Sequence, residues 1–278
     1  MFELLAIFIA LAGTIIASYY DLKTTEIPDL LPILMIIAGI LINALDLFFT
    51  KNFENLFLSL LNGILFAAIG FSMYFGGQWG GGDAFLLAAV GFLIPKNFFI
   101  KNDLPFFFTY LTNLFFLGSI YMIIYSIFYA LKNKKAIRNF KGQVKRFSWL
   151  FIFLFLSFLA ISFLFSYVFL NRIDILLSLL TPTLTCFLML IWLFSKSVEK
   201  SFIKKIPVSQ LKVGDVLMES KRWDGITEKE IEKIRKSGKK YVYIKSGICF
   251  APAFPIALIF TILYGNSIAI LLNLLSLI

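Results

Sequence analysis

Long apolar runs separated by short polar segments dominate this sequence of 278 residues. A transmembrane helix needs about 20 mostly apolar residues to cross the hydrocarbon core of a bilayer. Helices are favoured there because they satisfy their own backbone hydrogen bonds where water is absent. The sequence therefore predicts an all-α polytopic membrane protein with about eight transmembrane helices, and at least six. The eight candidate spans cover residues 2–20, 30–49, 54–75, 84–100, 104–131, 147–170, 173–195 and 248–277.

The composition supports a membrane location and limits the chemistry. Hydrophobic residues make up 60% of the chain, which is more than one soluble core could bury. The first apolar run, residues 2–20, has neither the basic N-terminal region nor the cleavage site of a signal peptide, so we expect it to be retained as a transmembrane helix. With no histidine and two cysteines, Cys186 and Cys249, we expect no metal and no cofactor. Both cysteines lie in apolar stretches, which favours small buried side chains, although a disulfide is left open.

The distribution of basic residues predicts the orientation in the membrane. Cytoplasmic loops are enriched in Lys and Arg, and counting them in alternate loops tests the topology. With the N-terminus outside, 22 of the 26 basic residues lie in inner loops, mostly in residues 132–146 and 196–245. This pattern explains the net charge of +10 without a nucleic-acid partner. The basic residues left in outer loops are Lys51, Lys96, Lys101 and Arg172.

A polar segment, residues 196–246, interrupts the apolar pattern and predicts a small cytoplasmic α+β insertion. Residues 211–218 indicate a strand and a turn around Gly214 and Asp215, and residues 241–245 alternate like a strand. Thr227 and Glu230 match a capping box that would start a short helix, and Gly238 would end it. We expect a transmembrane domain over residues 1–195, this insertion over 196–246, and a last transmembrane helix over 247–278. The insertion could dock substrate or only support the membrane domain.

Four acidic residues are predicted at the inner membrane face: Asp21, Glu26, Asp29 and Asp83. Ionised groups are costly near the membrane core, so such residues indicate function by default. Asp83 follows residues 76–82, in which five of seven positions are glycine. Glycine at this density allows a sharp bend or the close approach of another backbone, such as a peptide substrate. The alternative is that the glycines form a flexible loop and Asp83 caps the next helix.

Two motifs together resemble those of the prepilin and preflagellin peptidases, which are membrane aspartic proteases with a Gly-x-Gly-Asp motif. One family aspartate opens a D-x-(K/R)-x-x-x-I-P-(N/D) stretch, matched here by residues 21–29 with Asp21, Lys23 and Ile27-Pro28-Asp29. The other closes Gly-x-Gly-Asp, matched by Gly80, Gly82 and Asp83. Residues 247–258, GICFAPAFPIAL, are similar to the stretch that opens the last helix of the family.

The resemblance implies a catalytic pair, Asp21 and Asp83, and cleavage of type IV prepilin or archaeal preflagellin precursors. These precursors are cut on the cytoplasmic side, between a short basic leader and a hydrophobic helix. Glu26 and Asp29 are candidates to attract the leader's basic residues, and Gly80 and Gly82 to admit the substrate backbone. No CxxC pair is present, so the archaeal branch, which lacks methyltransferase activity, is the better match. The implied location is the cell membrane, with the lipid bilayer and a membrane-embedded precursor as partners.

Paired carboxylates also suggest this chemistry without the family name. Two carboxyl groups held close together cannot both ionise readily, so one serves as base while the other serves as acid. Presenilin-like and signal-peptide-peptidase-like proteases share Gly-x-Gly-Asp, but their paired aspartates lie in adjacent late helices. A membrane transporter could also contain acidic residues in broken helices, near the membrane midplane and in repeated halves. Neither repeats nor a midplane position is indicated here.

Overall fold

The computed structural model describes residues 2–97, 104–172 and 174–275. Within them the chain is mainly helical, with a small sheet late in the sequence. The helices are α1 (Phe2–Thr24), α2 (Leu30–Thr50), α3 (Glu54–Phe75), α4 (Gly81–Leu93), α5 (Phe106–Lys132), α6 (Lys134–Arg146), α7 (Ser148–Leu170), α8 (Ile175–Ser201), α9 (Glu228–Lys236), α10 (Ala253–Tyr264) and α11 (Ser267–Leu275). The strands are β1 (Ile203–Pro207), β2 (Val216–Leu217) and β3 (Tyr241–Lys245).

Six described helices, α1, α2, α3, α5, α7 and α8, are long and apolar enough to cross a membrane. Helices α10 and α11 meet at a bend of 52° and together form one broken span or a re-entrant segment. This confirms a polytopic all-α membrane protein with a small insertion. The described residues hold six or seven spans instead of eight, and the single last helix predicted over residues 247–278 is a bent pair.

Helix α4 replaces the fourth predicted span, residues 84–100. It has 13 residues, so it rises only about 20 Å, which is less than the roughly 30 Å of a hydrocarbon core. It packs against α1, α2 and α3. Consecutive residues from Leu86 to Val90 are buried, because neighbouring helices cover α4 on several sides. Its apolar sequence therefore reflects burial by protein. Helix α4 is shorter than a full span, but it runs back along α3 from Gly70 to Ser59 and so carries the chain towards the side on which α3 begins.

The C-terminal end of α4 is stabilised by side chains from α3. The Asn62 amide donates hydrogen bonds to the carbonyl oxygens of Ile94 and Pro95, at 3.2 and 2.8 Å. The Ser59 hydroxyl donates to the carbonyl oxygen of Phe92. The last carbonyls of a helix lack partners within the helix, and leaving them buried and unpaired would be costly. These polar side chains allow α4 to end among apolar neighbours.

The chain divides into two compact units, the first comprising Met1–Met122 and Lys205–Ile278, and the second Ile123–Lys204. In the second unit, α8 packs against both α6 and α7. Helix α6 occupies the segment predicted as the basic loop 132–146. It begins at Asn133, whose side chain accepts a hydrogen bond from the Lys135 amide. The sequence predicts a loop here because basic residues dominate this segment. The apolar face of the helix, on which Ala136 is buried, is short.

The predicted insertion contains a three-stranded sheet in the order β1-β3-β2. Strand β2 pairs with β3 in antiparallel fashion, with Val216 opposite Lys245. The predicted strand over residues 241–245 and the capping box of Thr227 and Glu230 are confirmed. The strand predicted over 211–218 is reduced to β2, and β1 was not predicted. The sheet and α9 enclose a small core of Val208, Leu211, Ile226, Ile231 and Val242.

Candidate active site

Asp21 lies in the last turn of α1, where its side chain is buried with 7% of its surface exposed. Its Oδ2 accepts a hydrogen bond of 2.9 Å from the backbone N–H of Ala251. Its backbone carbonyl oxygen accepts a hydrogen bond from the Cys249 thiol, with 3.2 Å between sulfur and oxygen. The segment that leads into α10 therefore contacts Asp21 at both its side chain and its backbone.

Asp83 lies in the first turn of α4 and is half-buried. Its Oδ2 accepts a hydrogen bond of 3.3 Å from the Gly80 backbone N–H, so Asp83 also helps to cap the helix. Its Oδ1 is shielded from solvent and has no hydrogen-bond partner among the described residues. The capping interpretation of Asp83 is thus correct for one oxygen and leaves the other oxygen unused.

The fold brings the two aspartate motifs together. Helices α1 and α4 pack against each other, and the charges of Asp21 and Asp83 interact electrostatically. Gly82 faces Ile27 so closely that a Cβ on Gly82 would lie 2.9 Å from the Ile27 Cβ. The isoleucine of one motif therefore occupies the space left by a glycine of the other. Two carboxyl groups in this arrangement favour a state in which they share one proton.

The glycine-rich loop before α4 is held in place by an aromatic residue, Trp79. Its ring centroid lies 6.1 Å from that of Phe115, 5.4 Å from Phe250 and 6.0 Å from Phe254. Aromatic pairs at these separations stabilise a structure beyond their burial alone. Trp79 thus fixes the loop to α5 and to the start of α10, which is the same segment that contacts Asp21.

The small sheet-containing module also contacts the glycine-rich loop. The Trp223 indole N–H donates a hydrogen bond of 3.0 Å to the carbonyl oxygen of Gly77. Gly77 has a φ of +69°, a conformation that side chains disfavour, and the Lys221 carbonyl oxygen occupies the place of a Cβ there. Beside it, the Tyr74 hydroxyl donates to Asp224, at 2.7 Å. The module is therefore tied to the loop that leads to Asp83.

The other predicted site residues lie outside the buried pair. Glu26 and Asp29 are both exposed. Glu26 lies beside the module, with its Oε1 3.0 Å from where a Cβ of Gly214 would be. Asp29 precedes α2 and makes no side-chain capping bond. Gly80 contributes its N–H to Asp83, so its observed contact is within the protein.

Several groups at the site carry no clear signal in the sequence. Ala251 acts through its backbone N–H, which every residue except proline possesses. Tyr121 donates its hydroxyl to the carbonyl oxygen of Cys249, at 3.1 Å. Cys249 is buried, and neither Cys249 nor Cys186 forms a disulfide within the described residues. The resemblance of residues 247–258 to a family stretch located this region but did not indicate what it contacts.

A metal site is not formed by the part of the chain that the structure describes. In those residues, no three Asp, Glu, His or Cys side chains converge closely enough to hold an ion. The functional groups that do converge are two carboxyl groups, a thiol, a phenol and backbone amides. Such a set is suited to general acid–base chemistry, in which one carboxyl group accepts a proton while the other donates one.

Comparison with known proteins agrees with this arrangement. Residues 8–128, which include Asp21 and Asp83, match the type IV leader peptidase family. A preflagellin peptidase of Methanocaldococcus jannaschii is 38% identical over 84 residues, covering 30% of this chain and 36% of that protein. A preflagellin peptidase of Methanococcus voltae is 33% identical over 137 residues, covering 47% of this chain and 58% of that protein.

The aligned regions thus span between about a third and somewhat over half of the length of these relatives. No solved structure matches the chain. The matched segment extends from α1 into α5. It therefore contains both aspartate motifs, which contact each other through Ile27 and Gly82. Over residues 8–128, the chain is therefore similar to the type IV leader peptidase family.

Proposed function

We propose that this protein is an aspartic endopeptidase that removes a short basic leader from a preflagellin or type IV prepilin precursor. One observation carries the proposal. Asp21 in the last turn of α1 and Asp83 in the first turn of α4 lie close enough to interact electrostatically, and the two helices pack together. Both aspartates lie within the segment that matches a family of leader peptidases. The names of the two relatives favour a preflagellin as the substrate.

The proposed reaction uses the shared proton of the pair. The ionised carboxylate takes a proton from water as the water oxygen attacks the scissile carbonyl carbon. The protonated carboxyl group donates its proton to the carbonyl oxygen, which gives a tetrahedral diol without a covalent bond to the enzyme. When the diol collapses, one of its hydroxyl groups returns a proton to the carboxylate that had donated one. The proton that the base took from water passes to the leaving nitrogen. The pair is then back in its starting protonation state.

The site would face the cytoplasm. The support is the concentration of Lys and Arg in the loops on the side of Asp21 and Asp83, as the positive-inside rule requires. A leader with basic residues would remain on that side for the same reason. The hydrophobic helix of the precursor would lie in the bilayer beside the enzyme, which places the cleavage site near the ends of α1 and α4.

The decisive experiment is cleavage of a preflagellin in membranes by Asp21→Asn and Asp83→Asn variants. Each should lose at least about 100-fold in kcat/KM, because each variant lacks a proton donor or acceptor. Asp46→Asn is a matched control, since Asp46 is a buried acid in α2 that bonds to Asn55 and lies outside the site. If either active-site variant keeps wild-type activity at wild-type expression, the aspartic mechanism is wrong.

Glu26 and Asp29 would attract the basic leader, because both are exposed on the loop that follows Asp21. Replacing both with Lys should weaken cleavage of a basic leader and partly restore cleavage of a precursor with an acidic leader. The control replaces Glu219 and Glu232 with Lys, two exposed acids of the module, and should affect neither precursor. Equal effects of the Glu26 and Asp29 variant on both precursors would contradict this role.

A further inference from the structure

The two aspartates of the site are not equivalent in their hydrogen bonds. Asp21 receives a backbone N–H from Ala251 at 2.9 Å on its Oδ2. Asp83 receives only the longer bond from Gly80, at 3.3 Å, and its Oδ1 has no partner in the described part of the chain. A donor directed at a carboxylate stabilises the charged form, while burial without a donor favours the neutral form. The pair is therefore biased towards a charged Asp21 and a neutral Asp83.

The donor to Asp21 is held by a second set of contacts. Ala251 lies two residues after Cys249, whose carbonyl oxygen accepts the Tyr121 hydroxyl at 3.1 Å. The Cys249 thiol in turn bonds to the backbone of Asp21. Tyr121 lies on α5, so its hydroxyl joins that helix to the segment before α10. This bond fixes the segment that presents the Ala251 N–H to the carboxylate.

The other titratable groups around Asp21 do not reverse this bias. Asp83 faces it from α4, Cys249 from the segment before α10 and Tyr121 from α5. Each of these is neutral or negative, so their charges cannot stabilise an ionised Asp21. Among the described residues, no Lys or Arg forms an ion pair with either aspartate. The backbone N–H groups of Ala251 and Phe250, which both interact with Asp21, are the feature that distinguishes the two carboxyl groups.

We propose that Asp21 is the ionised base and Asp83 the protonated acid, and that Tyr121 is a positioning residue that maintains this assignment. The proposal rests on the proposed peptidase function and assigns roles within it. Asp21 takes the proton of the attacking water while Asp83 gives its proton to the carbonyl oxygen. Asp83 then recovers a proton from the diol, and Asp21 gives its proton to the leaving nitrogen as the C–N bond breaks. Tyr121 transfers no proton.

The first test is the pH profile of kcat/KM for Tyr121→Phe in membranes, with a preflagellin as substrate. Loss of one hydrogen bond behind the Ala251 donor should move the acidic limb to higher pH by about half a unit. On that limb, kcat/KM should fall about threefold relative to wild type. The limb reports the base of the free enzyme, so a role in folding alone would not move it.

Tyr110→Phe is the matched control. Tyr110 also lies on α5 and also donates its hydroxyl to a backbone carbonyl of the last helical region, that of Phe254, at 3.3 Å. Phe254 lies within α10, beyond the residues that contact Asp21. The acidic limb of this variant should coincide with that of the wild type. An acidic limb that is unshifted in Tyr121→Phe, or equally shifted in both variants, would overturn the positioning role.

The second test needs no activity, so it applies even if Tyr121→Phe folds poorly. Infrared spectra of the purified protein near neutral pH detect the carbonyl stretch of a protonated carboxyl group. The band of the pair should disappear in Asp83→Asn and persist in Asp21→Asn. The opposite result would overturn the assignment, while an inactive wild type, or full activity in either aspartate variant, would instead refute the proposed function.

Discussion

The two ends of α4 are built in opposite ways. At the C-terminal end, Ser59 and Asn62 donate hydrogen bonds to three carbonyl oxygens, those of Phe92, Ile94 and Pro95. At the N-terminal end, a glycine-rich loop leads to Asp83, whose Oδ1 has no partner within the described residues. Both ends lie in a protein that is apolar overall, so the difference arises from the neighbouring side chains.

This difference distinguishes polar groups that stabilise the fold from polar groups that can contact a substrate. A buried polar atom that is fully paired stabilises one arrangement, whereas an unpaired one destabilises the fold unless another molecule binds to it. The Asn62 side-chain N–H groups have their partners within the protein. Asp83 retains an oxygen that a substrate carbonyl or a water molecule can contact during catalysis. Other buried oxygens, such as Asn55 Oδ1 and Ser267 Oγ, also lack a partner among the described residues, so it is the neighbouring carboxyl group of Asp21 that distinguishes Asp83.

The largest effect is expected from Gly82→Ala, which changes the N-terminal end. The new methyl group would lie 2.9 Å from the Ile27 Cβ, so the two aspartate segments must move apart. Because a shift of about 1 Å at an active site can reduce the rate about 100-fold, we expect kcat/KM to fall 10- to 100-fold. Steady-state cleavage of a preflagellin measures this loss.

Two further variants control this prediction. Ile27→Gly should restore part of the activity of Gly82→Ala, because it removes the Cβ that the new methyl group meets. Gly142→Ala on α6 should leave kcat/KM unchanged, since no atom lies within 4 Å of a Cβ there. Full activity in Gly82→Ala would show that the close contact of the two segments is unimportant.

A different kind of effect is expected at the C-terminal end, from Asn62→Leu. This change keeps the side-chain size but leaves the carbonyl oxygens of Ile94 and Pro95 without their donor. The free energy of unfolding should fall by about 1–3 kcal/mol, as measured by denaturation in detergent. The activity of the folded fraction should stay within about twofold of wild type. A large loss of activity in a stable Asn62→Leu protein would remove the distinction between the two ends.

The smallest effect is expected from Trp223→Phe, in the module that contacts the glycine-rich loop. Phenylalanine keeps an aromatic ring but cannot donate to the Gly77 carbonyl oxygen. One hydrogen bond contributes about 1 kcal/mol, so kcat/KM should fall about fivefold. Tyr243→Phe is the control, because Tyr243 is an exposed aromatic residue of the same module. If both variants behave like the wild type, the module does not position the N-terminal end of α4.

Much of the fold was predictable because the length and hydropathy of an apolar run follow directly from bilayer thickness. The same argument failed for α4 and for the bent pair α10 and α11. Hydropathy shows that a segment avoids water but does not show whether lipid or protein surrounds it. Residues 98–103, where the fourth predicted span ends and the next outer loop begins, lie outside the described residues.

The sequence marks the two aspartate segments as unusual, and the structure shows that they contact each other. The dense glycines before Asp83 and the Ile27-Pro28 step after Asp21 are unusual, and the structure brings Ile27 against Gly82. Ala251, in contrast, acts through a backbone amide that has no residue-type signature. Tyr121 is one of 11 tyrosines, and its role depends on a contact 128 positions along the chain. Such contacts require three-dimensional coordinates.

The burial of α4 has a consequence for how this helix changes over evolutionary time. A helix that faces lipid on one side tolerates exchange among apolar residues along that stripe. In α4, the residues from Leu86 to Val90 are buried consecutively. No face of this stretch is therefore free to exchange one apolar residue for another. Among homologues, α4 should therefore be inherited as a nearly invariant block, while α7, only 6% of which is buried, should diverge freely in sequence at constant hydrophobicity.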